Sequence, residues 1–351
     1  MKAVVYHGHE DFRVDHVEDP KLLAPTDAIV RTVRTAICGS DLHLWHAPTM
    51  EVQGFTMGHE VLGIVEDVGQ DVRGVKKGDR VLVSCTTGCG HCQMCEHSAW
   101  GACEKTTEMG MWTNIFGNPL LPGGQAEGLR VPFADTNLYR VPDSVEDERA
   151  LFLSDILPTG FMGAALAEIQ VGDVVVIFGS GPVGVFAQPS AALFGPSAIV
   201  AVDLDDARLA KAAARGCVTV NPTKQDVKEA VANLTNGRGA DCAIEAVGSV
   251  QLVNDCIDLV RAGGRVSVIG VITDDPIQIP MMGGMMGKNL TLRGGMVEPQ
   301  KYIPRLLPMI EQGRLDPTEI ITHRMPLDRA TSGYRIFANH EEDVLKVVLE
   351  P

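Results

Sequence analysis

The run Val174-Val175-Val176-Ile177-Phe178-Gly179-Ser180-Gly181-Pro182-Val183-Gly184 decides how this chain folds. Five apolar residues predict a buried strand, and the G-x-G-x-x-G spacing behind them predicts a tight turn into a helix. In that setting glycines let backbone approach a ligand closely, and the helix N-terminus offers N–H groups to a pyrophosphate. An acid about twenty residues further on, ending a second strand, completes the pattern. Asp203 stands there, in Ala201-Val202-Asp203-Leu204-Asp205. Its carboxylate would accept hydrogen bonds from the adenosine ribose and repel a 2′-phosphate. Asp205 and Asp206 add to that repulsion, so NAD is expected rather than NADP.

Outward from this run, Val174 to Val202 holds no charged residue and is long enough to cross a bilayer. Gly179, Gly181, Gly184, Pro189, Gly195 and Pro196 divide it into strand, turn and helix, which predicts a buried strand–helix–strand instead. Pro189 falls about two turns into the expected helix, where a kink or early break is anticipated. Strands are expected at 174–178, 198–203, 242–246 and 265–269, with helices at 208–215, 226–234 and 250–259 between them. That alternation reads as a doubly wound parallel sheet. Before it, residues 1 to about 150 carry short β-type runs split by Gly, Pro and Asp, at 28–33, 61–65 and 80–83, the pattern of a compact β or barrel-like unit. The last fifty residues, helical at 302–312 and strand-like at 344–349, are expected to rejoin that first unit.

At 351 residues the chain is long enough for two domains with separate cores. Thirty basic against forty-five acidic residues leave a net charge of −15, which repels phosphate backbones and argues against nucleic acid as a partner. The thirty-seven glycines are not periodic, so neither collagen nor disorder fits. Met1-Lys2-Ala3-Val4-Val5-Tyr6-His7 shows no apolar signal core, and the expectation is a soluble protein with no membrane partner.

Nine cysteines, an odd number, argue against a disulfide framework and for a reducing cytosol. Cys89, Cys92, Cys95 and Cys103 fall within fifteen residues. Such spacing lets four thiolates close around one ion, as in structural zinc, with an iron–sulfur cluster as the chemical rival. Two further segments, Cys38-Gly39-Ser40-Asp41-Leu42-His43 and Gly58-His59-Glu60, each offer donors for a second metal. A catalytic zinc takes three protein ligands from Cys, His and carboxylate groups and leaves a fourth position open.

Taken together, Gly58-His59-Glu60-x2-Gly63-x5-Gly69-x2-Val72, the Cys89–Cys103 loop, the Gly179–Gly184 run, Asp203 and the closing Val347-Val348-Leu349-Glu350-Pro351 resemble the zinc-containing medium-chain dehydrogenases/reductases, the alcohol dehydrogenases. The resemblance covers essentially the whole chain. It implies an α/β fold: a GroES-like β-barrel catalytic domain at 1–153, a Rossmann doubly wound parallel sheet at 154–296, and a return to the catalytic domain at 297–351. Cys38 and His59 then match the first two catalytic zinc ligands. Where many members place a third Cys, this chain has Asp155, as in a variant similar to bacterial secondary-alcohol and formaldehyde dehydrogenases. An oxygen donor gives the ion less electron density than thiolate and should leave it more Lewis-acidic. Glu60 matches a neighbouring carboxylate that tunes the site or exchanges as a ligand.

The resemblance also implies a proton path from the alcohol to Ser40, through the nicotinamide ribose, to His43, whose ordinary pKa near 6.5 suits exchange with solvent. Thr159 matches a residue that packs on the nicotinamide ring, and Arg208 a base beside the adenosine ribose. Gly179, Gly181, Pro182, Val183 and Gly184 would receive the pyrophosphate. Cys85 and Trp112 fall where the family lines its substrate pocket. The implied protein is a cytoplasmic NAD- and zinc-dependent alcohol dehydrogenase with two zinc ions per chain, acting on a secondary or medium-chain primary alcohol, and a homodimer or homotetramer. Formaldehyde, polyol and threonine oxidation are the neighbouring alternatives, and a non-catalytic zinc and nucleotide scaffold is the rival from another class. Pro280-Met281-Met282-Gly283-Gly284-Met285-Met286 suits either a subunit interface or a mobile lid.

Overall fold

The computed structural model describes residues 1–110, 112–273 and 276–351. The chain divides into two compact units: Met1–Pro158 together with Val297–Pro351, and Thr159–Met296. Residues 154–158, assigned above to the Rossmann part, group with the first unit. The reason is local. The Ser154 carbonyl accepts the Cys85 N–H at 3.0 Å, and the Asp155 carboxylate turns to Cys38 and His59.

In the unit Thr159–Met296 six strands lie parallel, in the order Val218–Val220, Ala198–Val202, Val174–Phe178, Ala240–Glu245, Val260–Val268, Thr291–Gly294. Numbered along this unit the order is 3-2-1-4-5-6, the arrangement that places a dinucleotide crevice where the order reverses. The reversal falls between Val174–Phe178 and Ala240–Glu245, and the glycine run leaves the first of these. Val174, Val176, Phe178, Val200, Ala243, Val253, Ile257 and Val266 form its buried core. Strand Val174–Phe178 and helix Val250–Leu259 have the expected bounds, whereas Val218–Val220 and Thr291–Gly294 carry too little apolar sequence to announce themselves.

The helix after the glycine run extends over Pro182–Ala192, three residues beyond Pro189, so the anticipated early break does not occur. Pro189 forfeits a bond to the Val185 carbonyl, but Val185, Phe186, Ala187 and Ala191 are all buried. Lateral packing holds a helix more strongly than one internal hydrogen bond. No helix among the described residues is long and apolar enough to cross a membrane.

In the other unit a mainly antiparallel sheet runs His323–Pro326, Val347–Glu350, Ala28–Ile37, Glu60–Val68, Arg80–Val83, Leu138–Arg140, and Gly128–Val131 also pairs with Ala28–Ile37. A hairpin, Lys2–Gly8 with Asp11–His16, stands apart from it. Register decides what meets at the site: Ala36 is opposite Glu60 on one side and Val348 on the other. The chain's last strand thereby comes beside the segments that carry Cys38 and His59.

Candidate metal centre and dinucleotide turn

Cys38 directly follows the strand Ala28–Ile37, His59 directly precedes Glu60–Val68, and Asp155 sits between two helical turns. Strand pairing and the tether at Ser154 bring all three together. One donor atom from each of Cys38, His59, Glu60 and Asp155 can be chosen so that all four lie within 4.8 Å of one another, and all four residues are buried. Asp155 Oδ2 is 3.2 Å from His59 Nε2 and 3.5 Å from Cys38 Sγ. Burial disfavours charge on Asp155, but His59 and Lys346 outweigh it and hold the carboxyl below its ordinary value. Burial likewise opposes charge on His59, yet Asp41, Cys38 and Asp155 hold it well above the usual imidazole range. The donors are a thiol, an imidazole and a carboxylate, the mixture a catalytic zinc takes. Glu60 Oε2, buried in the same cluster, has no hydrogen-bond partner among the described residues, as a carboxylate kept beside a cation would.

Ser40 begins the helix Asp41–His46 but does not cap it with its side chain; its Oγ lies 3.3 Å from His59 Nε2 instead. A helix start without the usual side-chain cap forgoes about 1 kcal/mol, and the hydroxyl is turned to the imidazole at that cost. His43, one turn into that helix, is exposed. Cys85 is buried against the Asp155 carboxylate; burial first, and then Asp155 and Cys38, push its thiol well up, so it stays protonated. Trp112 is not brought to this cluster within the first unit: it is 53% exposed, with a left-handed backbone (φ 74°).

Two residues that sequence reading passed over complete the centre. Asp41 faces His59 Nδ1 with Oδ1 at 3.5 Å and accepts the Cys38 N–H on Oδ2 at 3.0 Å. A carboxylate behind a ligand imidazole sets its tautomer and orientation, and the Cys-x-x-Asp spacing was the available signal. Lys346 is completely buried, with Nζ 2.6 Å from Glu60 Oε1 and 5.9 Å from the centroid of the Phe152 ring. Burial works against its charge, but Glu60, Cys38 and Asp155 hold Lys346 protonated. Nothing local marks Lys346, which is 286 residues from Glu60.

The second cluster is Cys89, Cys92, Cys95 and Cys103, again with donor atoms within 4.8 Å and all buried. The sulfurs of Cys89 and Cys95 are 4.0 Å apart, and those of Cys92 and Cys103 3.8 Å, near twice a disulfide bond length. Against the cost of burial, Thr106 and the N–H groups of Cys89, Thr106 and Lys105 bring Cys103 down to about 6. One thiolate is thus formed near neutral pH before any metal arrives. Met94, Trp100 and Phe133 pack around the four sulfurs. The set fits a closed four-thiolate ion site.

At the glycine run, a Cβ on Gly184 would lie 2.0 Å from the Gly179 carbonyl oxygen, so the third glycine is needed for the turn itself. A Cβ on Gly181 would meet nothing nearer than Arg208 Nη1 at 3.9 Å. That bare backbone is a cradle for an outside group, with Arg208 beside it. Asp203 Oδ2 accepts the Ser180 N–H at 2.6 Å and Oδ1 the Asp205 N–H at 2.9 Å, tying the end of the second strand to the turn. Thr159 is buried near the start of the helix Ile156–Leu166. The residues fit a dinucleotide.

Comparison with known proteins agrees with this arrangement. Residues 24–143 match the alcohol dehydrogenase GroES-like domain and residues 182–312 the zinc-binding dehydrogenase domain. An alcohol dehydrogenase of Cupriavidus necator is 34% identical over 370 residues, covering all of this chain and 99% of its own. The solved alcohol dehydrogenase from Thermus sp. ATN1 superposes with a TM-score of 0.92 at 37% identity, over all of this chain and 99% of that one. A zinc-binding dehydrogenase from Sinorhizobium meliloti, solved bound to NADP, gives a TM-score of 0.85 at 26% identity, over all of this chain and 99% of its own. The chain belongs to the zinc-containing medium-chain dehydrogenase/reductase family of alcohol dehydrogenases, and is an oxidoreductase.

Proposed function

We propose that this chain oxidises an alcohol, secondary or medium-chain primary, with NAD⁺, giving a ketone or aldehyde, NADH and a proton, and catalyses the reverse. The observation that carries the reading is the convergence of Cys38, His59 and Asp155, with the Ser40 hydroxyl 3.3 Å from His59 Nε2. Those three residues would hold a catalytic zinc, and Cys89, Cys92, Cys95 and Cys103 a structural one. When bound, the zinc supplies Lewis acidity to the alcohol oxygen and the nicotinamide accepts the hydride.

The chain's own side chains handle the proton and the orientation. Ser40 Oγ takes the proton of the substrate hydroxyl, and His43, exposed on the same short helix, hands it to water. Glu60 and Lys346 keep a balanced pair of charges behind the ligands. Thr159 packs on the nicotinamide, and Cys85, buried against Asp155, lines the alcohol pocket. Gly179 to Gly184 receive the pyrophosphate. Asp203 meets the ribose hydroxyls and, with Asp205 and Asp206, favours NAD over the NADP bound by the Sinorhizobium relative. Arg208, beside Gly181, pairs with Asp205 at 3.7 Å, which moderates its pull on a 2′-phosphate.

The exposed Met281, Met282 and Met286 support association into a homodimer or homotetramer. Nine cysteines without a disulfide suit the cytoplasm. A scaffold that only bound metal and nucleotide would have no use for the Ser40 hydroxyl at His59. The test is NADH absorbance with a panel of alcohols, including formaldehyde hydrate, polyols and threonine, with each cofactor. Turnover of a simple alcohol with NAD⁺ at least tenfold preferred in kcat/KM is the expected result. Absence of any turnover with two metal ions bound would overturn it.

A further inference from the structure

Behind His59 the contacts continue beyond Asp41. Asp41 Oδ2 accepts from the Cys38 N–H at 3.0 Å and from Gln125 Nε2 at 3.1 Å, and the Tyr334 hydroxyl lies 3.2 Å from it. The same hydroxyl donates to Gln125 Oε1 at 2.7 Å, and Gln125 Nε2 donates also to the Ala36 carbonyl at 3.1 Å. Asp41, Gln125 and Tyr334 are all buried, Gln125 and Tyr334 completely.

This chain of donors has one consistent arrangement. Turning the Gln125 amide over would set its oxygen against the Ala36 carbonyl and the Asp41 carboxylate, and its NH₂ against the phenol proton. With the amide so fixed, Oδ2 of Asp41 is occupied and Oδ1 alone is left to face His59 Nδ1. The carboxylate cannot rotate without abandoning donors that no water replaces in a buried site. Gly58, immediately before His59, has φ +94°, and a Cβ there would lie 2.3 Å from Gln125 Cγ, so the backbone makes room for this amide.

We propose that Tyr334 and Gln125 are positioning residues of the metal centre, acting through Asp41 to hold the His59 ring with Nε2 toward Cys38 and Asp155. The inference rests on the reading of Cys38, His59 and Asp155 as metal ligands. Tyr334 lies on the helix Ala330–Ala338, 293 residues from Asp41, so the C-terminal segment supplies the last piece of the ligand's support. Partners that orient a ligand histidine typically change metal affinity by about 10–100-fold, and one step further out about threefold to tenfold is expected.

The experiment uses the full chain loaded with zinc, and measures metal release to a chromogenic chelator; the four-thiolate loop serves as internal reference. Tyr334→Phe keeps the ring stacked on Trp45, whose centroid is 5.6 Å away. It should release the Cys38–His59–Asp155 metal about threefold to tenfold faster, leave loop zinc release unchanged, and shift the visible bands of the cobalt-loaded protein. Gln125→Met should act in the same direction and serves if the first variant folds poorly. Thr331→Val, on the same helix, removes a 2.8 Å bond to the Phe12 carbonyl that involves neither Asp41 nor Gln125, and should release metal as the wild type does. Unchanged release and cobalt bands in Tyr334→Phe and Gln125→Met would overturn the proposal, as would equal acceleration in Thr331→Val. A wild-type chain showing only the loop zinc would instead remove the metal-centre reading, and this proposal with it.

Discussion

Lys346 and Glu60 are a pair of charges with no exposed surface, 2.6 Å apart, beside a cluster of metal donors. A divalent ion held by ionised Cys38 and Asp155 is already neutral, so a third negative group needs a positive one to remain ionised in a dry site. Removing one partner of such a pair leaves a buried charge alone. Lys346→Met should therefore lower stability by about 3–5 kcal/mol, and Lys346→Met with Glu60→Gln should recover most of it. Urea unfolding of the two variants checks this, and a single variant as stable as the wild type would show that the pair carries no charge. At this scale the sequence was uneven. Cys38, His59 and Asp155 were legible through motif and family resemblance, whereas Lys346 lies in an apolar segment, Val344 to Leu349, that reads as one more strand.

Among the elements, the glycine turn separates two roles that the motif writes with one letter. Gly184→Ala would force a Cβ to 2.0 Å from a backbone oxygen, while Gly181→Ala meets only the tip of Arg208. Gly184→Ala is expected to destabilise the fold by about 1–3 kcal/mol. Gly181→Ala should keep the wild-type melting temperature and lose NADH binding, as read by fluorescence titration; retained affinity would remove Gly181 from the cofactor cradle.

The sheet of the same unit is clasped by Asp241, which accepts the Val174 N–H at 2.8 Å and Arg261 Nε at 2.6 Å. Burial raises its pKa, but these two bonds outweigh that and hold it below the ordinary value of 3.8. A lowered folded-state pKa contributes stability above the unfolded value, near 3.9, and loses it as pH falls through the folded one. Asp241→Asn should cost about 1–3 kcal/mol, undiminished from pH 7 down to about 4, with the gap to wild type closing below that. A gap independent of pH down to about 2 would exclude the carboxylate's charge as its source. Most of these elements could be drawn from periodicity, since five-residue apolar runs and amphipathic helices are local. Pro189 was the exception, because neighbours buried against the helix, not its own sequence, decide whether it continues.

For the whole molecule, the four-thiolate loop forms its own small core, apart from the cores of the two main units. Cys95→Ser should thus empty the loop of metal and open residues 89–121 to limited proteolysis, while far-ultraviolet circular dichroism changes little. Collapse of the whole spectrum would show that the loop holds up the first unit as well. Thiolates must shed protons to bind, so acid should release the loop metal, with affinity falling as pH drops.

Read alone, the chain determined its two kinds of sheet, its glycine turn with Asp203 and its cysteine loop, because each is written in short-range spacing, whereas Cys38, His59 and Asp155 were joined only by resemblance to a family. Tertiary structure alone decided that Asp155 groups with the first unit, that Lys346 meets Glu60, and that Gln125 and Tyr334 meet Asp41. Those contacts join residues far apart along the chain, and which distant segments meet is decided by how whole layers of sheet and helix pack, not by any local pattern.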